Sequence, residues 1–216
     1  AHHQQFEVYQ EDKRRTVYRD LATLVRFAHN LVSIQQEQYA KGQITLEAAQ
    51  QEARKAFKNI SVGETGYLYA MTSKGDLTIH IAQEGENILD AQDEKGRHFI
   101  REMSEKAVAA KPGEVLYIVY PWRNPILGET RLRNKVVAYL YFQPWDWIIA
   151  AGGYLEETYE DVAFEKQALE ELKRNILDKA VGATGYIYAM TTRGELTIHP
   201  FREGQNVYDE QDRDGH

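Results

Sequence analysis

Apolar positions along this chain change their period as the sequence proceeds, and each change marks a different element. From about Phe6 to Tyr39 there is no proline or glycine, and Val17, Leu21, Leu24, Ala28 and Leu31 recur at steps of four, three, four and three. That spacing predicts an amphipathic helix with an apolar stripe opposite a charged face of Glu11, Asp12, Lys13, Arg14, Arg15, Arg19 and Asp20. A helix of about 34 residues extends about 50 Å at 1.5 Å per residue. One small domain does not cover that length, so part of the stripe is expected against a partner helix or a second copy of the chain, the latter giving a homodimer through this N-terminal helix. Gly42 interrupts the pattern. Thr45 then caps a second predicted helix through Leu46, Ala49, Ala53 and Phe57.

Beyond residue 60 the period falls from 3.6 to 2. Tyr67, Tyr69 and Met71 alternate with Leu68 and Ala70, Ser73-Lys74-Gly75 reads as a turn, and Leu77 to His80 returns as the second arm of a hairpin. A polar stretch, Glu84 to Gly96, precedes a helix from Phe99 to Ala110 with Ile100, Met103 and Ala107 inward, stopped by Pro112-Gly113. Strands follow at Val115–Tyr120, Lys135–Phe142 and Trp147–Ala151, giving five in all. Tyr154 to Ala180 reads as a further helix, with Leu169, Leu172, Ile176 and Leu177 as apolar anchors.

That helix leads into a repeat. Val62–Gly96 and Val181–Gly215 align at a constant offset of 119 residues with 21 of 35 positions identical, among them Gly66/Gly185, Tyr67/Tyr186, Tyr69/Tyr188, His80/His199 and Asp93/Asp212. The period is too long for a solenoid and argues for two copies of one globular unit. The second copy ends where the first continues to its helix and last three strands. A sheet lacking those strands exposes its edges, so the sequence is expected to be a piece of a longer protein.

Composition narrows the class. The chain has 216 residues, 43% of them apolar, enough for an ordinary core. A net charge of −7 argues against nucleic acid and against a polybasic membrane surface. No apolar run approaches a membrane span of about 18 residues, and no signal peptide is evident. With no cysteine there are no disulfides, zinc–thiolate sites or thiol nucleophiles. G-x-S-x-G, H-E-x-x-H, Walker and dinucleotide motifs are absent, so no enzyme, cofactor or metal is expected. Asp209, Asp212 and Asp214 before Gly215 faintly suggest a calcium loop, but the spacing is wrong and Lys95 replaces Asp214 in the first copy. His2 and His3 carry no functional weight, since a purification tag leaves the same trace.

Several segments together resemble the Cache family of extracytoplasmic sensor domains in bacterial chemoreceptors and sensor kinases. They are Gly66-Tyr67-Leu68-Tyr69, Gly75 to His80, Gly85-Glu86-Asn87, Asp93, Gly96 and Gly113 to Tyr117, then Lys135, Tyr139 and Trp145 to Tyr154. The succession is similar to the type-2 Cache pattern over roughly 5–160, with a second copy from about 180. The resemblance implies an α+β fold: a long N-terminal helix on a PAS-like five-stranded antiparallel sheet, followed by a second, incomplete Cache-like unit. It also implies an order of parts: helices over 1–60, a membrane-distal sensor unit over 61–153, a connecting helix over 154–180 and the start of a membrane-proximal unit over 181–216. Type-2 members often bind acetate, propionate, pyruvate or lactate, and that ligand class comes from the resemblance alone. One departure is that the family's His-Pro, kept as His199-Pro200, is His80-Ile81 in the first copy.

A short acid needs donors for its charged end and an apolar wall for its tail. Tyrosine supplies both, and 14 tyrosines cluster on the predicted strands. The candidates for ligand contact are Tyr69, His80, Arg101, Tyr117, Tyr120, Trp122, Lys135 and Tyr139. Each tyrosine has a half-buried core role as its alternative. Tyr117 and Tyr120 face opposite sides of their strand, whereas Lys135, Val137, Tyr139 and Tyr141 share one. Lys135 stands out because a mid-strand lysine among aromatics needs water or an anion. Arg101 is either an anion contact or a solvated helix residue, Trp122 a lid or a packing residue, and His80 a ligand or a strand-to-loop tie.

The expectation is therefore an extracytoplasmic, periplasmic ligand-binding domain of an inner-membrane chemotaxis receptor, taking a small carboxylate in the first unit. The alternative is a sensory or dimerisation module of a sensor histidine kinase, with an amino acid, an amine or no small ligand.

Overall fold

The computed structural model describes residues 2–123, 128–154, 157, 189–190 and 196–198, with side chains from residue 14 to 123, 128 to 154 and at 157. The chain divides into two compact units, Ala1–Leu169 and Glu170–His216.

In the first unit, helix α1 (His2–Ala40) and helix α2 (Leu46–Lys58) precede the sheet. Thr45 caps α2 as its sequence foretells, its hydroxyl accepting from Ala48 N at 3.1 Å. The α2 stripe of Ala49, Ala53, Ala56 and Phe57 is buried. The strands are β1 (Ser61–Val62), β2 (Gly66–Thr72), β3 (Leu77–Ile79), β4 (Leu116–Trp122), β5 (Arg133–Phe142) and β6 (Trp147–Tyr154). Helix α3 (Phe99–Ala109) lies between β3 and β4, with Phe99, Ile100, Met103 and Ala107 inward.

The sheet runs β1-β2-β6-β5-β4, with β3 also paired to β2, and every pairing is antiparallel. It has six strands where the pattern predicts five. The extra one, β1, is only two residues long and too short to show a period. The last strand returns to the middle of the sheet beside the first long one, so β5 and β6 are fully flanked. That explains why all eight residues of β6 are buried.

Alternation splits the sheet into two faces. Phe142 meets the His29 ring on α1 at 5.6 Å, and Tyr117 meets Tyr18 at 5.0 Å, so this parity faces α1. Val17, Leu21, Leu24, Ala28 and Leu31 are all buried within the unit. The stripe from Val17 to Leu31 is therefore covered within the unit, where α1 packs on α2 and on β5 and β6. Burying each such leucine stabilises the unit by about 1.5–3 kcal/mol.

The opposite face carries Tyr67, Tyr69, Met71, Ile118, Tyr120, Val137, Tyr139, Ile148 and Ala150 and packs on α3. Asp146 braces this end of the sheet. It adopts a left-handed φ of 50°, and its carboxylate accepts from Tyr141 Oη at 2.8 Å and Ser73 Oγ at 3.1 Å. The β5–β6 turn is thereby tied to the β2–β3 turn.

The second unit is described at its hairpin alone, β7 (Ala189–Met190) and β8 (Leu196–Ile198). Ala189 pairs Ile198 and Met190 pairs Leu196, with the same register irregularity that separates Ala70–Ile79 from Met71–Leu77. The repeat thus reproduces a backbone irregularity as well as a sequence. Tyr186, Tyr188, His199, the predicted 154–180 helix except Tyr154 and Glu157, and the aspartates near Gly215 lie outside the described residues.

Candidate ligand-binding site

Strand register brings the polar face together in rows. Tyr120, Lys135 and Tyr154 are Cα partners across β4, β5 and β6. In the next row Ile118, Val137, Gly152 and Tyr67 line up, and in the row after that Leu116, Tyr139, Ala150 and Tyr69. The Lys135 side chain leaves its own row and crosses the neighbouring one diagonally, reaching the Tyr67 hydroxyl with Nζ–Oη 2.9 Å. Gly152 permits that path. A Cβ there would collide with Lys135 Cε and lie 3.3 Å from Nζ. A small-residue floor on β6 is what lets a lysine lie flat against the sheet.

Lys135 is 2% exposed. Its Nζ sits 4.0 Å from the Tyr67 ring centroid and 4.8 Å from that of Tyr69, with Trp122 and Tyr120 at 5.8 and 5.9 Å. Among the described residues no carboxylate forms a salt bridge with it. Cation–π contacts contribute about 0.5–2 kcal/mol, less than the several kcal/mol lost by taking an ammonium out of water. Burial accordingly pushes its pKa down from 10.5 to about 7.

Hydrogen-bond accounting around Tyr67 shows what the site lacks. His80 Nδ1 accepts from Ala82 N at 3.1 Å and from Gln83 N at 2.9 Å, so its proton resides on Nε2. That Nε2 lies 3.1 Å from Tyr67 Oη and donates to it. Burial first, and the Lys135 charge second, hold the imidazole neutral, with a pKa pushed down to about 3. The Tyr67 oxygen therefore receives donors from His80 and from Lys135, and its own proton needs a further acceptor. Tyr69 and Tyr120 share one hydrogen bond at 3.0 Å, which leaves a second proton to place, with Met103 Sδ at 3.7 Å its one weak acceptor. Among the described residues the hydroxyl of Tyr154 is buried without a partner, and the indole N–H of Trp122, near the Tyr67 hydroxyl, makes no well-formed hydrogen bond. Burial raises the pKa values of Tyr67, Tyr69, Tyr120 and Tyr154, so all four stay protonated. The cluster has a cation and a surplus of donors. A carboxylate, with about four acceptor positions and no donor, is its chemical complement.

Of the sequence candidates, the fold brings Tyr69, His80, Tyr120, Trp122 and Lys135 together. Tyr139 shares their face and stands in the row of Tyr69, fully buried, its pKa raised to about 12 by burial and then by Glu102. Two candidates stand elsewhere. Arg101 is on the outer side of α3, half exposed and paired with Asp90. Tyr117 is 43% exposed on the α1 face, where parity had placed it opposite Tyr120. Tyr67, Gly152 and Tyr154 were not among the candidates. Tyr67 had been placed on the face of Tyr69, but only register shows its hydroxyl meeting Lys135.

A separate cleft of about 600 Å³ opens beside α1 and the β5–β6 turn, lined by His29, Ser33, Val108, Tyr141, Phe142 and Pro144 among others. Its apolar lining gives no comparable convergence of donors.

Two N-terminal helices on one face of an antiparallel sheet, with α3 on the other, define a PAS-like α+β fold. The chain belongs to the Cache domain family, whose pattern it matches over residues 2–216. Among solved structures it is similar to a Cache chemosensory domain described for its carboxylic acid recognition. They share 26% identity and a TM-score of 0.59, over 67% of this chain and 97% of that one. It is also similar to the periplasmic sensor domain of a chemotaxis protein, at 22% identity and TM-score 0.55 over 69% and 97% of the two chains. A methyl-accepting chemotaxis protein from Vibrio parahaemolyticus matches at 20% and 0.56 over 71% and 99%. The latter two likenesses speak to the fold alone.

Proposed function

We propose that this chain is the extracytoplasmic sensor region of a membrane chemoreceptor and that its first unit binds a small monocarboxylate on Lys135. The observation that carries the reading is a fully buried ammonium, without a carboxylate partner among the described residues, surrounded by phenol and indole donors. Carboxylic acid recognition by a structural relative supports the ligand class, and that relative's being a chemosensory domain supports the setting. An amine ligand would meet donors and a like charge, so the amine alternative is disfavoured. One lysine balances one negative charge, which favours acetate, propionate or pyruvate over a diacid. The chemotaxis output is preferred over a kinase output because that relative is a chemosensory domain.

Isothermal titration of the 216-residue chain with acetate, propionate and pyruvate, each beside its neutral amide, tests the assignment. Binding of at least one acid and of no amide is expected. Equal binding of acid and amide, or no binding at millimolar concentration, refutes it.

A further inference from the structure

Tyr154 faces two ways. Its Cα is the register partner of Lys135 and its side chain is fully buried on the same sheet face. Among the described residues its hydroxyl has no hydrogen-bond partner, and it lies close enough to those of Tyr67, Tyr69 and Tyr120 for their ionisations to oppose one another. A buried phenol without an acceptor is costly unless something occupies its position in the working state. On the other side the Arg133 guanidinium lies over the Tyr154 ring, with Cζ 3.8 Å from the centroid.

Arg133 is itself a clamp. It donates to Glu157 at 2.9 Å, to Glu129 at 2.8 Å and to the Thr65 hydroxyl at 3.0 Å. Glu157 closes the circuit by accepting from Thr65 N at 3.0 Å and from the Thr65 hydroxyl. Glu157 follows β6 by three residues, and Thr65 precedes β2 by one. The clamp thus fastens the chain leaving the sheet to the chain entering it, and the Tyr154 ring lies against the Arg133 end of that fastening in the same strand row as Lys135.

We propose that Tyr154 is both a donor to the bound acid and the positioning residue that conveys occupancy to the Arg133–Glu157–Thr65 clamp. The proposal rests on the carboxylate reading of the Lys135 site. A hydroxyl proton can turn about its own C–O bond, so the coupling requires that the acid draw the oxygen itself: as Tyr154 Oη closes on the ligand the ring tilts, and the guanidinium stacked on it shifts relative to Glu157. A ligand biases signalling only through a difference in affinity between two such arrangements, and this contact supplies one.

Tyr154→Phe keeps the ring under Arg133 and removes only the hydroxyl. Titration of wild type and Y154F with the acid that binds best should show affinity about tenfold or more weaker in the variant. The melting temperature without ligand should be unchanged or higher, which a merely structural hydroxyl would not allow. In ¹⁵N spectra the Arg133 Nε resonance of the wild type should move on saturation with the acid, and in Y154F at saturation it should move less. Equal affinities and a stationary Arg133 resonance overturn this inference while leaving the carboxylate site standing. A wild type that binds no acid overturns both.

Discussion

Replacing Lys135 by methionine separates a ligand-binding lysine from a structural one, because the two roles predict opposite changes in stability. Lowering a lysine pKa from 10.5 to about 7 corresponds to about 4–5 kcal/mol of destabilisation where the side chain is charged. Sign follows from proton counting. Between about pH 7 and 10.5 the unfolded chain holds a proton the folded chain has lost, so stability rises with pH across that window and the penalty is fully present below it. Methionine fills nearly the same path over Gly152 without the charge. Allowing for relaxation and for the lost bond to Tyr67 at 2.9 Å, K135M should gain about 2–4 kcal/mol near pH 6–7, or about 5–15 °C in melting temperature for a unit of this size. The same change removes one partner of a buried charge pair from the complex, which costs about 2–5 kcal/mol, hence at least about 30-fold in acid affinity. Melting curves at pH 6 and 9, with titration of propionate, measure both. A variant less stable than wild type that still binds the acid would show that Lys135 is held in place by its aromatic neighbours as part of the core, and the argument would fail.

Other expectations follow from the same geometry. Because a bound carboxylate restores the lysine charge, binding above about pH 7 should take up close to one proton and weaken by up to about tenfold per pH unit; below that pH the affinity should be flat, and titrations in buffers of differing ionisation enthalpy read the uptake directly. Gly152→Ala should leave the sheet folded by circular dichroism yet weaken the acid, since the new Cβ displaces the flexible Lys135 stem; unchanged affinity would mean the stem has another route. Arg101→Ala and Tyr117→Ala should leave affinity within about twofold, because an exposed ion pair and an exposed ring on the far face contribute little; a large loss in either would move the site.

What could be read from residues alone was whatever depends on local period. The cap at Thr45, the inward set of α3 and the shared face of Lys135, Val137 and Tyr139 are all local consequences of backbone geometry, and the fold agrees with them. What escaped depends on register. Nothing in the order of residues says that Tyr154 stands opposite Lys135, or that Gly152 lies beneath its stem, until β6 is placed between β2 and β5. The small-residue run at Ala150 to Gly153 was the available signal, since bulky strands on both sides imply that something must lie over so thin a strand. The pairing of Arg101 with Asp90 was not legible because Asp90 comes from a turn whose path has no periodic signature. Covering of the α1 stripe by the chain's own sheet escaped for a similar reason: an apolar stripe shows that it must be buried, not by what. The repeat, meanwhile, marked scaffold more than site. His80 caps its loop, Asp93 accepts from Lys95 N and Arg97 N, and Asn87 donates to Lys74 O and Asp76. Lys135, Tyr120 and Trp122 lie outside the repeated segment.

A crystal structure of the chain grown with propionate is the most direct test that a buried, otherwise unbalanced ammonium receives an acid. The account predicts carboxylate oxygens about 3 Å from Lys135 Nζ, with the Tyr154 hydroxyl and Trp122 indole N–H turned toward them. Propionate seated in the cleft beside His29 and Tyr141, or Lys135 paired instead with a carboxylate of the protein itself, would contradict it.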